Sequence, residues 1–337
     1  MKRVFNSIVI IGLAAQALVV GQGQDASKVL SLVREALGGD KKIAAVKTLA
    51  VTGRSARVNG ASTAPATDFE IAMELPDKYM KKEVVATIGS STIARTSGFN
   101  GEGLIEAMDT PPAMGGGMMV MRFGGPGGGA PGAPSTPEQA AAMRKNALQA
   151  AHEDFARLTL GMFASSFSAF PIEFSYAGQA ESPDGKADVI GIKGSDDFQA
   201  RLFVDSASHL PLMLSWMAKE PMVMNMTGGP GRGTSSGGTN VVQFGAGGGG
   251  GGGGAQQMTP EQRDQMMKEI QDRMKEAEAA RRTVEYRLYY SDYQDVSGVK
   301  MPFKLQRSID GKPTEEMTLE KVKVNQKIDP KKFEVSK

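Results

Sequence analysis

The run Thr283-Val284-Glu285-Tyr286-Arg287-Leu288-Tyr289-Tyr290, followed by Val299-Lys300-Met301-Pro302-Phe303-Lys304-Leu305 and then by Glu315 to Val324, decides the fold. Side chains on a strand alternate between two faces, so residues two apart share a face. Val284, Tyr286, Leu288 and Tyr290 share one parity, opposite Glu285, Arg287, Tyr289 and Ser291; Val299, Met301, Phe303, Leu305 and Ile309 share one in the second run. The turns Ser297-Gly298 and Asp310-Gly311 supply the positive φ that a short hairpin needs. In the third run the apolar parity changes from Met317 and Leu319 to Val322 and Val324, as a β-bulge would impose. The reading is a three-stranded antiparallel meander in a curved sheet.

Upstream the pattern continues. Strands are expected over Val46–Val58, at Phe69-Ile71-Met73-Leu75 in alternation with Asp68, Glu70 and Glu74, and over Lys78–Ala86, Ser91–Thr96 and Leu104–Met108. Four more follow at Ile172–Glu181, Ala187–Lys193, Phe198–Asp205 and Leu210–Trp216. A helix is expected over Ala26–Leu37, with Val29, Leu32, Val33, Ala36 and Leu37 at helical spacing and Gly38-Gly39 as its stop. A second starts at Thr136-Pro137-Glu138-Gln139 and carries the stripe Met143, Ala147, Ala151, Phe155, Leu158 and Met162 to about Ala164. A third follows the repeated Thr259-Pro260-Glu261-Gln262, with a narrow stripe of Met267, Ile270, Met274 and Ala277. Pro111–Pro134 and Met222–Gly254 are Gly- and Met-rich and too poor in side chains to pack a core, so they read as disordered insertions. The whole is an α+β chain: one domain over 24–337, with insertions at about 109–136 and 218–258.

Composition narrows the class. Of 337 residues 42 are glycine, and a formal net charge of +2 without a basic cluster argues against a nucleic-acid binder. Lys2 and Arg3 before the apolar stretch Val4–Val20, then small residues up to Gly23, read as a cleavable signal peptide over 1–23. Its clean apolar core is short for a bilayer span, which needs about 20 residues. The expectation is a periplasmic protein with no stable transmembrane anchor. With no Cys there is neither a disulfide nor a lipid-modified N-terminal cysteine.

Catalytic constellations are sparse. His152 flanks the second helix stripe and His209 sits in a hairpin turn; neither has the close His or Cys neighbours a zinc site uses. Asp196-Asp197 and Glu315-Glu316 are adjacent pairs, which point to opposite strand faces and read as surface. Gly124, Gly127 and Gly129 have a dinucleotide-like spacing outside any βαβ context. The methionines around Met114–Met121 and Met222–Met226 have three readings: thioether ligands for Cu(I), adaptable apolar lid surface, or unstructured loop. Unstructured loop is preferred, and the expectation is no enzyme, no cofactor and no metal.

Three stretches together carry a family resemblance: Glu74-Leu75-Pro76-Asp77-Lys78-Tyr79; Leu202-Phe203-Val204-Asp205 through His209-Leu210-Pro211-Leu212; and Tyr293 to Phe333, containing Gly298-Val299-Lys300-Met301-Pro302-Phe303 and Asn325-Gln326-Lys327-Ile328-Asp329. Their order resembles the periplasmic outer-membrane lipoprotein-sorting proteins, the LolA/LolB-like superfamily, with their RseB-type relatives. The resemblance implies an incompletely closed antiparallel β-barrel of about 11 strands, covered on its concave face by helices. It also implies a carrier or binder of a lipid acyl chain or a lipidated protein. On that reading the cavity lining is Phe69, Ile71, Met73, Leu75, Leu202, Val204, Leu212, Leu214, Trp216, Tyr286, Leu288, Phe303 and Leu305, residues that could equally form an ordinary packed core. The second reading is a packed barrel serving as an envelope-stress sensor or protein–protein module with an envelope partner.

Overall fold

The computed structural model describes residues 25–60, 62–88, 91–109, 137–183, 185–221, 223–225, 241–243 and 281–336, with scattered positions between 265 and 280. The expected signal peptide, the first insertion and the stripe of the third helix lie outside these. Of the second insertion only two strands are described, β11 (Val223–Asn225) and β12 (Val241–Gln243), which form a small parallel pair where a wholly unstructured segment was expected.

The chain begins with α1 (Ala26–Ala36), capped by Asp25, whose Oδ1 accepts from the Ser27 amide at 3.0 Å. It ends at Gly38 and Gly39, both at positive φ, before the short α2 (Asp40–Ala44). Then come β1 (Thr48–Asn59), β2 (Ser62–Thr63), β3 (Thr67–Glu74), β4 (Lys78–Ile88), β5 (Ser91–Asn100) and β6 (Gly103–Asp109). The long helix α3 (Pro137–Phe163) separates these from β7 (Ile172–Ser182), β8 (Gly185–Gly194), β9 (Gln199–Asp205) and β10 (Pro211–Lys219). The meander closes the chain as β13 (Thr283–Val296), β14 (Val299–Ile309) and β15 (Lys312–Val324), followed by a 3-10 turn at Pro330–Phe333.

One sheet of 13 strands results, against the expected eleven or so, in the order β6-β5-β4-β3-β1-β15-β14-β13-β10-β9-β8-β7, with the two-residue β2 beside β1. The C-terminal meander therefore sits in its middle and joins the two halves. Ser297, Gly298, Asp310 and Gly311 all take positive φ, as the hairpins require. The parity change in β15 is a bulge: Thr52 pairs with Lys321 but Gly53 with Leu319, leaving Glu320 over. Met317 and Leu319 are buried on one side of it, and Val322 and Val324 are half-buried on the other.

α3 touches Tyr79 of β4, Phe99 of β5, Trp216 of β10, Tyr290 of β13 and Arg307 of β14. A single helix meets strands from both halves of the sheet because the sheet curls around it. Edges β6 and β7 do not pair with each other, so the barrel is incompletely closed, with α3 on its concave face. α1 joins the same core through Val29, Leu30 and Val33.

Candidate functional site

The inward parity of the central strands builds the concave face. Phe69, Ile71, Met73, Leu202, Val204, Leu214, Trp216, Tyr286, Leu288 and Leu305 are buried in one continuous cluster with Phe155, Leu158, Met162 and Phe163 of α3. Leu75 and Phe303 are half-buried against that cluster. Leu212 departs from the set: it is 41% exposed. Pro211 pairs with Val204 and Met213 with Phe203, so Leu212 is an extra residue at a bulge and turns to solvent.

The same parity turns polar toward one end of the sheet. Ser55 on β1, Lys81 and Glu83 on β4, Arg307 on β14 and Glu315 on β15 continue the apolar rows of Val51, Tyr79, Leu305 and Met317. Asp154, one helical turn from Ala151 and Leu158, brings the helix into this polar band. Its Oδ1 accepts from Arg307 Nη2 at 2.8 Å and its Oδ2 from the Tyr79 hydroxyl at 2.6 Å. Arg307 Nε lies 3.2 Å from Glu315 Oε2, and Ser55 Oγ donates to Glu315 Oε1 at 2.6 Å. Lys81 Nζ pairs with Glu83 at 2.7 Å.

The charges hold one another. Burial pushes the Asp154 carboxyl upward, but Arg307, Lys81 and the Tyr79 hydroxyl outweigh it and hold Asp154 well below the usual carboxylate range. Burial likewise opposes, while Lys81 and Arg307 lower, Glu315. Burial and the neighbouring Asp154 charge raise the Tyr79 phenol well above its ordinary value. Asp154 is thus a carboxylate tied to two strands, and not a poised acid or base.

Arg157, one turn further along α3, pairs through Nη2 with Glu153 at 2.5 Å, and its carbonyl accepts from the Tyr290 hydroxyl at 2.6 Å. Its guanidinium lies over the Trp216 ring, 4.5 Å from the centre.

Charged side chains on a strand read as surface in the sequence, so the band's residues fall outside the expected lining. Glu316 is exposed, whereas Glu315 faces inward and is largely shielded, which corrects the surface reading of that pair. The available signal was parity: Arg307 falls between Leu305 and Ile309, and Glu315 two residues before Met317. Asp196 and Asp197 are exposed, in a turn where both take positive φ, and not on a strand. His152 is half-buried with its ring centre 4.2 Å from that of Phe99, and burial lowers its pKa.

The motif stretches turn out to be structural joints. Asn325 Oδ1 accepts from the Lys47 amide at 2.7 Å and its Nδ2 donates to Ala45 O at 2.9 Å, pinning the start of β1. Asp329 caps the 3-10 turn, and Asp205 accepts from the Ser208 amide at 2.6 Å. The Tyr293 hydroxyl donates to Pro211 O at 2.9 Å. Among the described residues no group of three or more His, Asp or Glu could hold a metal ion, and no helix is long and apolar enough to cross a membrane.

No family model matches the sequence, and no curated protein matches it. Solved structures do resemble the chain in outline. A LolA superfamily protein from Nitrosomonas europaea aligns with TM-score 0.44 and 8% identity over 93% of this chain and 98% of its own. An outer membrane lipoprotein-sorting protein domain from Vibrio parahaemolyticus gives 0.40 and 8% over 91% and 97%. A DUF1329 family protein from Desulfovibrio piger gives 0.40 and 5% over 93% and 98%.

Proposed function

We propose that the protein is a non-enzymatic periplasmic binder of lipid or lipoprotein acyl chains, received on the concave face when α3 shifts. The supporting observation is the continuous apolar surface from Met73 to Leu214, covered by a separate helix and not by paired strands. An acyl chain gains about 0.8 kcal/mol per buried CH₂, and the helix side chains it would displace are each worth about 1.5–3 kcal/mol. The exchange is therefore nearly balanced, as reversible loading and release demand. The polar band supplies a defined closed position through contacts that water can replace when the helix moves.

Periplasmic residence draws on the signal-like N-terminus, and acyl binding on the order of motifs set out above. The mature chain, exported by its own signal and purified without detergent, should yield stoichiometric acyl lipid on organic extraction and mass spectrometry. A lipid-free, stable protein would count against the carrier.

A second reading has an observation of its own. The concave face is filled by Phe155, Leu158, Met162 and Phe163, as in an ordinary core. On that reading the barrel is a scaffold for an envelope protein partner, and a lipid-free protein that captures such a partner would favour it.

A further inference from the structure

Arg157 has only 6% of its surface exposed. Its guanidinium lies over two rings, 4.5 Å from the centre of Trp216 and 5.4 Å from that of Phe198. Trp216 stacks in turn on Tyr286, ring centres 5.6 Å apart and planes within 17°. Glu153 takes Nη2, but the buried Nε has no hydrogen-bond partner among the described residues. Ring stacking satisfies the face of a guanidinium and leaves its N–H edge unmet, and an unmet buried donor is costly.

Beyond Tyr286 lies a second buried guanidinium, Arg281, employed by Glu278 and by the Lys219 and Glu220 carbonyls. The Tyr286 hydroxyl donates to the Lys219 carbonyl at 3.0 Å, the same carbonyl that Arg281 Nη2 reaches at 3.4 Å, so Tyr286 links Arg281 to the ring stack over Arg157. Away from this spot the inward row becomes apolar at once, through Leu214, Leu202 and Leu288. Both strand ends that flank the second insertion, Lys219 and Thr283, pair at this end of the sheet.

We propose that Arg157, framed by Trp216, Tyr286 and Phe198, is a head-group subsite that takes an anionic oxygen, carboxylate or phosphate, of a ligand whose acyl chain lies along the concave face. This rests on the acyl-binding reading and adds the ligand's class: an amphiphile with an anionic head. The Nε–H donates to the head-group oxygen in a charge-assisted hydrogen bond. Glu153 keeps Nη2 and holds the guanidinium plane against the rings.

Trp216 is the sole tryptophan, so its fluorescence reports on the subsite directly. Wild type and Arg157→Met are titrated with dodecanoate, dodecyl phosphate and dodecanol, each below its aggregation threshold. Wild type should bind one or both anions at least roughly tenfold more tightly than the alcohol, the scale of one charge-assisted contact. A preference for carboxylate alone identifies a fatty-acid head, and for phosphate alone a phospholipid head. Arg157→Met should bind all three equally, and Arg157→Lys, which lacks the planar fork, should keep only part of the preference. Equal affinities in wild type, a comparison that needs no variant, overturn the subsite and leave acyl binding standing. No binding of any of the three overturns both.

Discussion

Asp154 projects from α3 into the polar band, where its partners Tyr79 and Arg307 come from different strands, so its charge fixes the helix on the sheet. Asp154→Asn keeps the shape but removes half of an ion pair that is largely out of water, which costs on the order of 3 kcal/mol. Tyr79→Phe loses a single hydrogen bond and should cost about 1.5–3 kcal/mol, the range for bonds to a charged acceptor. Pairing Asp154→Leu with Arg307→Met should recover only part of the loss of the charge deletion, because Arg307 also serves Glu315, which is then left to Lys81 and Ser55. Urea unfolding at neutral pH ranks the three. The pH dependence has a definite sign. Asp154 and Glu315 are both depressed by the fold, so their stabilisation is complete above the ordinary carboxylate range, about pH 4, and is lost as pH falls below it. Lys81 is raised despite its burial, chiefly by Glu83 and Glu315, and Tyr79 is raised by burial, so a second loss is expected above about pH 10. In Asp154→Asn the acid-side slope should be shallower and the alkaline limb should remain. An unchanged acid slope would mean that Asp154 does not titrate as a tethered carboxylate. At this scale parity in the sequence already marked Arg307 and Glu315 as inward. What it lacked was the knowledge that a second counter-charge for Arg307, Asp154, arrives from a helix more than a hundred residues away in the chain.

Between elements, close approach decides more than composition does. Gly161 lets α3 lie on β13: a Cβ there would stand 2.1 Å from the Tyr290 ring, which is buried and anchored by its hydroxyl on Arg157 O. In an exposed helix Gly→Ala gains about 1 kcal/mol, whereas overpacking costs about 1–3 kcal/mol, so Gly161→Ala should be destabilising. Gly161→Ala combined with Tyr290→Leu should regain part of that loss, as thermal melts would read. Edge strand β6 is managed by the C-terminal strap. Phe333 packs on Ala72, Met80 and Ile105, the Ser336 amide donates to Leu104 O at 2.8 Å, and Lys332 pairs with Glu70. Removing residues 333–337 uncovers both that apolar patch and the edge, and should produce concentration-dependent dimers or aggregates on size-exclusion chromatography. A monomer of unaltered stability would show that the strap is dispensable. The strands, the hairpin turns and the β15 bulge were legible because period two and Ser-Gly or Asp-Gly turns are local signals. The bulge that turns Leu212 outward was not, since Leu210, Leu212, Leu214 and Trp216 keep one unbroken alternation in sequence. The strap was not either, because its contacts on β4, β5 and β6 join positions far apart in the chain.

Across the whole molecule, the position of the C-terminal meander sets how stability is shared. β15 pairs with β1 of the first half and β13 with β10 of the second, and one core cluster runs from Leu49 and Met73 to Leu214 and Trp216. α3 rests on both halves, so neither half keeps its inner face covered if the other unfolds. Sequence order alone suggests two blocks of strands split by a helix; only the sheet order shows that the last three strands join them. The described β-structure should therefore unfold as one unit despite the chain's length. Trp216 fluorescence reports on the β10–β13 side, and far-UV circular dichroism reports on the sheet as a whole. In urea the two should give coincident midpoints, and Met73→Ala, a buried change in the opposite half, should lower both together by an amount corresponding to about 2–5 kcal/mol. If the Met73 substitution moved the circular dichroism transition and left the Trp216 transition in place, the two halves would be separate folding units. The meander would then be a hinge between them, and a ligand could open the concave face by parting the halves as well as by shifting α3.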